Sequence, residues 1–72
     1  MEHDQALRRL GRMIRQLRLE RRLSRRVLAE LAGIHENTLK AIENGYGNPT
    51  YRVLLRIADV LEIALGELLS GL

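Results

Sequence analysis

The sequence predicts an all-α fold, a compact packing of short helices, and two observations carry that reading. Apolar residues fill 46% of the 72 positions but aromatics only 3%, a pair of tyrosines, so the core must be Leu, Ile, Val and Ala, a palette that favours helices over a sandwich. Those apolar residues also recur at steps of three and four. The length allows one domain, and a chain this short buries only about 60% of the surface its unfolded form exposes. It has no cysteine, so neither a disulfide nor a thiolate metal site can support it.

Residues 1–4 are expected to form a flexible tail, with Asp4 placed to cap the helix that follows, and residues 5–72 a single domain. The first helix should run from Gln5 to about Arg21, burying a stripe of Leu7, Leu10, Ile14 and Leu17. Gly11 interrupts it at a cost of about 1 kcal/mol against Ala and leaves room for another helix to approach. Arg8, Arg12, Arg15 and Arg22 fall away from the stripe, with Leu19 among them. Arginines near a helix N-terminus oppose its dipole, which points weakly to an external anion or acid.

The stretch 24–44 organises the rest. Ser24 is a good N-cap, and Val27, Leu28, Leu31 and Ala32 recur at helical spacing until Gly33, the residue best able to take the left-handed conformation that ends a helix. A further helix restarts within a turn, with Leu39 and Ile42 inward and Glu36, Asn37, Lys40, Ala41 and Asn44 outward. Residues 44–50 are dense in turn formers and read as a loop. Thr50 then caps a fourth helix with Leu54, Ile57, Ala58 and Leu61 inward, leaving Val53, Leu55 and Val60 with less obvious burial. Ile63 to Leu69 should add one or two turns, poorly started because Ala64 stands where a capping side chain would help.

Charge and motifs narrow the function. Residues 1–26 hold nine arginines against Glu2, Asp4 and Glu20, 9 − 3 = +6, while residues 27–72 hold three cations against six acids, 3 − 6 = −3. A basic front half suits a polyanionic partner; a solvated arginine face is the bland alternative. The only histidines, His3 and His35, have no partners at catalytic spacing, and there is no His-x-x-x-His pair or carboxylate-rich loop. An enzyme, a metal and a cofactor are therefore not expected. Glu43 beside the inward Ile42 reads as half of a structural ion pair rather than a general base. No apolar run approaches the roughly 20 residues of a membrane span and the start is not that of a signal peptide, so a soluble cytoplasmic protein is the expectation.

The ordered set Leu10-Gly11, Ile14, Leu17-Arg18, Leu23-Ser24, Leu28-Ala29, Gly33, Thr38, Ile42-Glu43, Gly45, Asn48-Pro49-Thr50, Leu54, Ile57-Ala58 and Leu61 resembles the lambda-repressor-like helix-turn-helix family, the XRE-type or Cro-like regulators. The likeness covers about residues 7–69. It implies five short helices, the third lying in the DNA major groove and the second crossing the backbone above it. By position, it implies that Glu36, Asn37 and Ala41 face bases and Arg25 a phosphate, that Asn44 and the loop from Tyr46 to Asn48 meet the backbone, and that Arg18 and Glu43 form an ion pair tying the first helix to the third. The side-chain chemistry agrees: Asn37 can bond adenine in bidentate fashion, Glu36 can accept from cytosine N4, and Ala41 is small enough for a thymine methyl. Lys40 can pair with Glu36 or reach guanine or phosphate, and Arg26 adds charge beside Arg25 at a helix N-terminus.

Several positions depart from the family's pattern. Arg25 replaces the usual glutamine, Val27 the glutamate that would complete a capping box, and Arg22 the glycine that often ends the first helix. His35 stands at the usual Ser/Thr cap of the third helix, where it can cap through a ring nitrogen or donate to a phosphate; the cap is preferred. The expected function is a sequence-specific, double-stranded-DNA-binding transcriptional regulator acting as a homodimer on a palindromic operator. Half-sites would lie about 34 Å apart. The dimer is inferred from a surplus of late apolar residues, Val53, Leu55, Val60, Leu65, Leu68, Leu69 and Leu72, more than one small core should need, although some of them are expected to be core. The rival is a protein-interaction module, such as an antitoxin holding a protein partner, with DNA binding secondary; the exposed aliphatics and Leu19 motivate it.

Overall fold

The computed structural model describes residues 2–70, with side chains from Asp4 to Ser70. Five α-helices follow one another, α1 (Glu2–Glu20), α2 (Arg25–Ala32), α3 (Glu36–Glu43), α4 (Tyr51–Leu61) and α5 (Leu65–Leu69), and the described residues contain no strand. The helix expected from Gln5 thus starts at Glu2, and Met1 lies outside the described residues. Asp4 lies inside α1 and is therefore not at its N-cap position. The earlier start also puts Arg8 beyond the first turn, where the dipole has faded, so the dipole argument for an anion lapses there.

Periodicity located most of the core. Leu10 and Ile14 of α1, Leu28, Ala29 and Ala32 of α2, Leu39 and Ile42 of α3, and Leu54, Ile57, Ala58 and Leu61 of α4 pack as one buried cluster, with Leu17 half-buried against it, while Leu7, the first residue of the expected α1 stripe, is only half-buried and is not among the residues that pack on it. Helix α1 packs on α3 and α5, α2 on α3 and α4, and α4 on α5. Because α5 touches two helices, Leu68 is fully buried, one of the late apolar residues that belong to the core and not to a free surface. Val53, Val60, Leu65 and Leu69 also pack against the cluster; Leu55, 38% exposed, is left outside it, and Leu72 lies beyond the described residues. The opposite correction applies to Leu31, which shares the periodicity of α2 but is 62% exposed, since the helix has only eight residues and its neighbours cover a narrower stripe.

Gly11 makes the α1–α3 contact. A Cβ there would overlap the Ile42 carbonyl oxygen and stand 2.6 Å from that of Glu43, so α1 lies against the backbone at the end of α3. The close approach aligns the two helices for the ion pair described below.

Four helices end the same way. After α1, Leu23 N–H donates to Arg18 O (3.1 Å) and Arg22 N–H to Leu19 O (3.0 Å); after α2, Ile34 donates to Ala29 and Gly33 to Glu30; after α3, Tyr46 donates to Ala41 and Gly45 to Ile42; after α4, Ile63 donates to Ala58 and Glu62 to Asp59. This is the Schellman arrangement, in which one left-handed residue satisfies the last carbonyls and an apolar residue follows. Gly33 (φ 70) and Gly45 (φ 79) adopt it freely, whereas Arg22 (φ 57) and Glu62 (φ 58) do so against their side chains.

Candidate nucleic-acid interface

The interface is built around the joint between α2 and α3. Ser24 Oγ accepts from Val27 N–H at 3.1 Å and starts α2, and Gly33 closes it in the left-handed conformation. His35 holds the N-cap backbone position of α3 (φ −71, ψ 145), but its exposed side chain makes no capping bond. The capping role preferred for it from the sequence is therefore absent. An imidazole is larger and stiffer than the hydroxyl it replaces, and here it does not fold back on the first turn. The first N–H groups of α3 have no side-chain acceptor from it, and such groups favour an anion.

The far end of α3 is fixed by a buried cation network. Arg18 Nε donates to Glu43 Oε2 at 2.7 Å and Nη2 to Oε1 at 3.0 Å, while Nη1 donates to Leu23 O at 2.9 Å. One guanidinium thus joins the C-terminal end of α3, the end of α1 and the residue before the α2 cap. Glu43 is fully covered, and no buried side-chain polar atom among the described residues lacks a hydrogen-bond partner. This complete satisfaction is what allows a buried ion pair to persist, because removing one partner strands a charge in a low-dielectric interior. Arg25, at the first turn of α2, adds a second cation, Nε to Glu43 Oε1 at 3.4 Å, with its side chain 29% exposed. Sequence reasoning gave Arg25 an outward role alone and did not foresee that it would share Glu43.

Opposite the core, α3 presents Glu36, Asn37, Lys40 and Asn44 to solvent, with Ala41 half-buried beside them. Glu36 and Lys40 form no ion pair among the described residues, so both ends of that turn are unengaged. An open groove of about 440 Å³ runs between α3 and the loop after it, lined by Asn37, Thr38, Ala41, Tyr46, Asn48 and Val53 among others. Tyr46 is tied through its N–H to Ala41 O at 2.8 Å while its side chain is 70% exposed. The groove therefore brings Asn37, Ala41, Tyr46 and Asn48 together. It also adds exposed Thr38, which the sequence reading used only as a mark of the family and gave no site role, although a hydroxyl one position after Asn37 was the available signal. Arg26 stands apart, in an exposed pair with Glu30 at 3.3 Å worth only about 0.3–0.5 kcal/mol.

Two short helices joined by a glycine turn, with a rigidly held second helix whose polar face is bare, define a helix-turn-helix DNA-binding domain. The family profile of the HTH_3 helix-turn-helix proteins matches residues 14–68. The chain belongs to that family, and it is a DNA-binding regulator of transcription rather than an enzyme. In fold it is similar to the restriction-modification controller protein C.AhdI from Aeromonas hydrophila, with a TM-score of 0.84 and 32% identity over 86% of this chain and 94% of that one. It is also similar to an HTH_3 family transcriptional regulator from Vibrio cholerae, with a TM-score of 0.86 and 28% identity over 96% of this chain but 39% of that longer one. Comparison with curated proteins finds no match. Among the described residues no helix is long and apolar enough to cross a membrane, and no group of three or more His, Cys, Asp or Glu side chains converges.

Proposed function

We propose that the protein is a sequence-specific regulator that binds a palindromic double-stranded operator as a homodimer, laying α3 in the major groove. The observation that carries this reading is the bare outer face of α3, Glu36, Asn37 and Lys40, on a helix whose other end is held by the buried Arg18–Glu43 pair. A rigid platform keeps these side chains in register with base edges, which bidentate readout requires. In this reading Glu36, Asn37, Lys40 and Ala41 meet bases, and Arg25, Arg26, His35, Asn44, Tyr46 and Asn48 meet the backbone. His35 can serve as a donor because no capping bond engages it.

Homodimerisation rests on a smaller apolar surface than the sequence suggested, since Leu55 remains exposed while most of the other late apolar residues pack inward. The likeness to a restriction-modification controller makes any neighbouring restriction-modification operon the first DNA to try. The test is a gel-shift titration on the DNA upstream of the protein's own gene, paired with sedimentation of the free protein and the complex. The reading expects a two-to-one protein–DNA complex on an inverted repeat, with Kd well below about 1 μM at moderate salt. Absence of any preferred site at that affinity would refute it.

A further inference from the structure

Gly45 follows α3 within the loop assigned to the DNA backbone, and a Cβ placed on it would stand 2.7 Å from Cγ of Arg8 and 3.2 Å from its Cα. The N-terminal half of α1 therefore lies directly against the loop, and the stem of Arg8 covers Gly45. From there Arg12 and Arg15 continue at steps of four and three, so the three guanidinium-bearing residues share one helix face. All three are exposed, and none forms an ion pair among the described residues. A row of long cations that pairs with no acid among the described residues raises the folded state's self-repulsion, which an external polyanion would relieve.

We infer that this row is a second contact surface for double-stranded DNA: Arg8, followed by Arg12, reaches phosphates flanking the half-site that α3 reads. The inference rests on the DNA reading above and goes beyond it, since that reading places phosphate contacts on α2, α3 and the following loop alone. Two observations favour DNA over an acidic protein. The row abuts the backbone-facing loop at Gly45 and so extends an interface of the same charge requirement, and its leading member, Arg8, lies where the surroundings are polar. Leu19, the exposed apolar residue of α1, lies at the other end of the row, in the depression with Arg12 and Arg15. Contacts of this kind carry no sequence information; they add affinity, register and salt dependence.

The test measures binding by fluorescence anisotropy from 50 to 300 mM salt for the full chain and its R8Q, R12Q and R8Q/R12Q variants, on a duplex extending well beyond the operator. Circular dichroism confirms the fold of each variant. R21Q is the charge-matched control, because Arg21 sits in the separate depression with Leu23, Leu31, Val60 and Glu62. Each of R8Q and R12Q should flatten the slope of log affinity against log salt by about 0.9, and the double variant by about twice that, equally on specific and random duplexes. Hydroxyl-radical protection should vanish at flanking phosphates while the operator centre stays protected. Slopes matching wild type and R21Q, with an unchanged footprint, would overturn the inference and leave the α3 reading intact. Failure of the wild-type chain to bind any duplex would instead overturn the DNA reading and this inference with it.

Discussion

Glu43 grips Arg18 with both carboxylate oxygens, at 3.0 and 2.7 Å, across 25 residues of sequence. The pair holds the C-terminal end of α3 to α1, and through the third Arg18 bond, to Leu23 O, it also fixes where α2 begins. Substitution of one partner alone should cost about 3–5 kcal/mol, Glu43→Ala by leaving the buried Arg18 cation without its carboxylate and Arg18→Met, toward the lower end, by leaving Glu43 only the 3.4 Å bond from Arg25. Arg18→Met with Glu43→Leu should cost much less than the sum of the two. Urea titration of the four proteins checks this, and additive losses would mean that the pair does not act as a unit.

Gly11→Ala reverses the ordinary expectation for a helix interior. Propensity alone would reward the change by about 1 kcal/mol. The added methyl would instead meet the Ile42 and Glu43 carbonyls, backbone atoms that cannot rotate away, so α1 must shift off α3. A net loss of about 1–3 kcal/mol is expected in thermal or denaturant unfolding.

Arg22→Gly should stabilise the domain. The residue adopts φ 57 to close α1, a conformation that costs a non-glycine residue about 1–2 kcal/mol. Glycine returns about 0.4–1 kcal/mol of that through the greater freedom of the unfolded chain, leaving a net gain near 0.5–1 kcal/mol. Glu62→Gly, at φ 58, should behave alike. A fall in melting temperature for both would contradict the helix-end account.

These cases show which parts of the fold are legible in a sequence. The stripes of α1, α3 and α4, the Ser24 and Thr50 caps and the left-handed Gly33 are local properties, and each stands where its residue types place it. The burial of Leu68 and the exposure of Leu31 were not legible, because burial depends on what lies opposite, which periodicity within one helix does not report. Arg22 and Glu62 end their helices in a glycine's conformation without being glycine, since the pull of the apolar residue that follows outweighs local preference. The exposure of Glu36, Asn37, Lys40 and Asn44 was legible from helical spacing, whereas that of Thr38 was not. The sharing of Glu43 by Arg25 was not, because it depends on how α2 and α3 meet in space.

Arg25→Gln separates the two roles open to that residue. Its bond to Glu43 is long, at 3.4 Å, and partly exposed, so stability should change by less than about 1 kcal/mol. If the remaining guanidinium nitrogens meet a phosphate, the salt slope of DNA binding should flatten by about 0.9. A stability loss with an unchanged slope would make Arg25 a structural partner of Glu43 only.

The most direct measurement of the central claim, that the outer face of α3 reads bases, compares Asn37→Ala with wild type on the operator and on a scrambled duplex of equal length and salt. Asn37 is exposed and lies outside the buried core cluster, so the variant should remain folded. Operator affinity should fall by about 1–3 kcal/mol while affinity for the scrambled duplex is unchanged. An equal loss on both duplexes, or no loss on either, would contradict base reading by this residue.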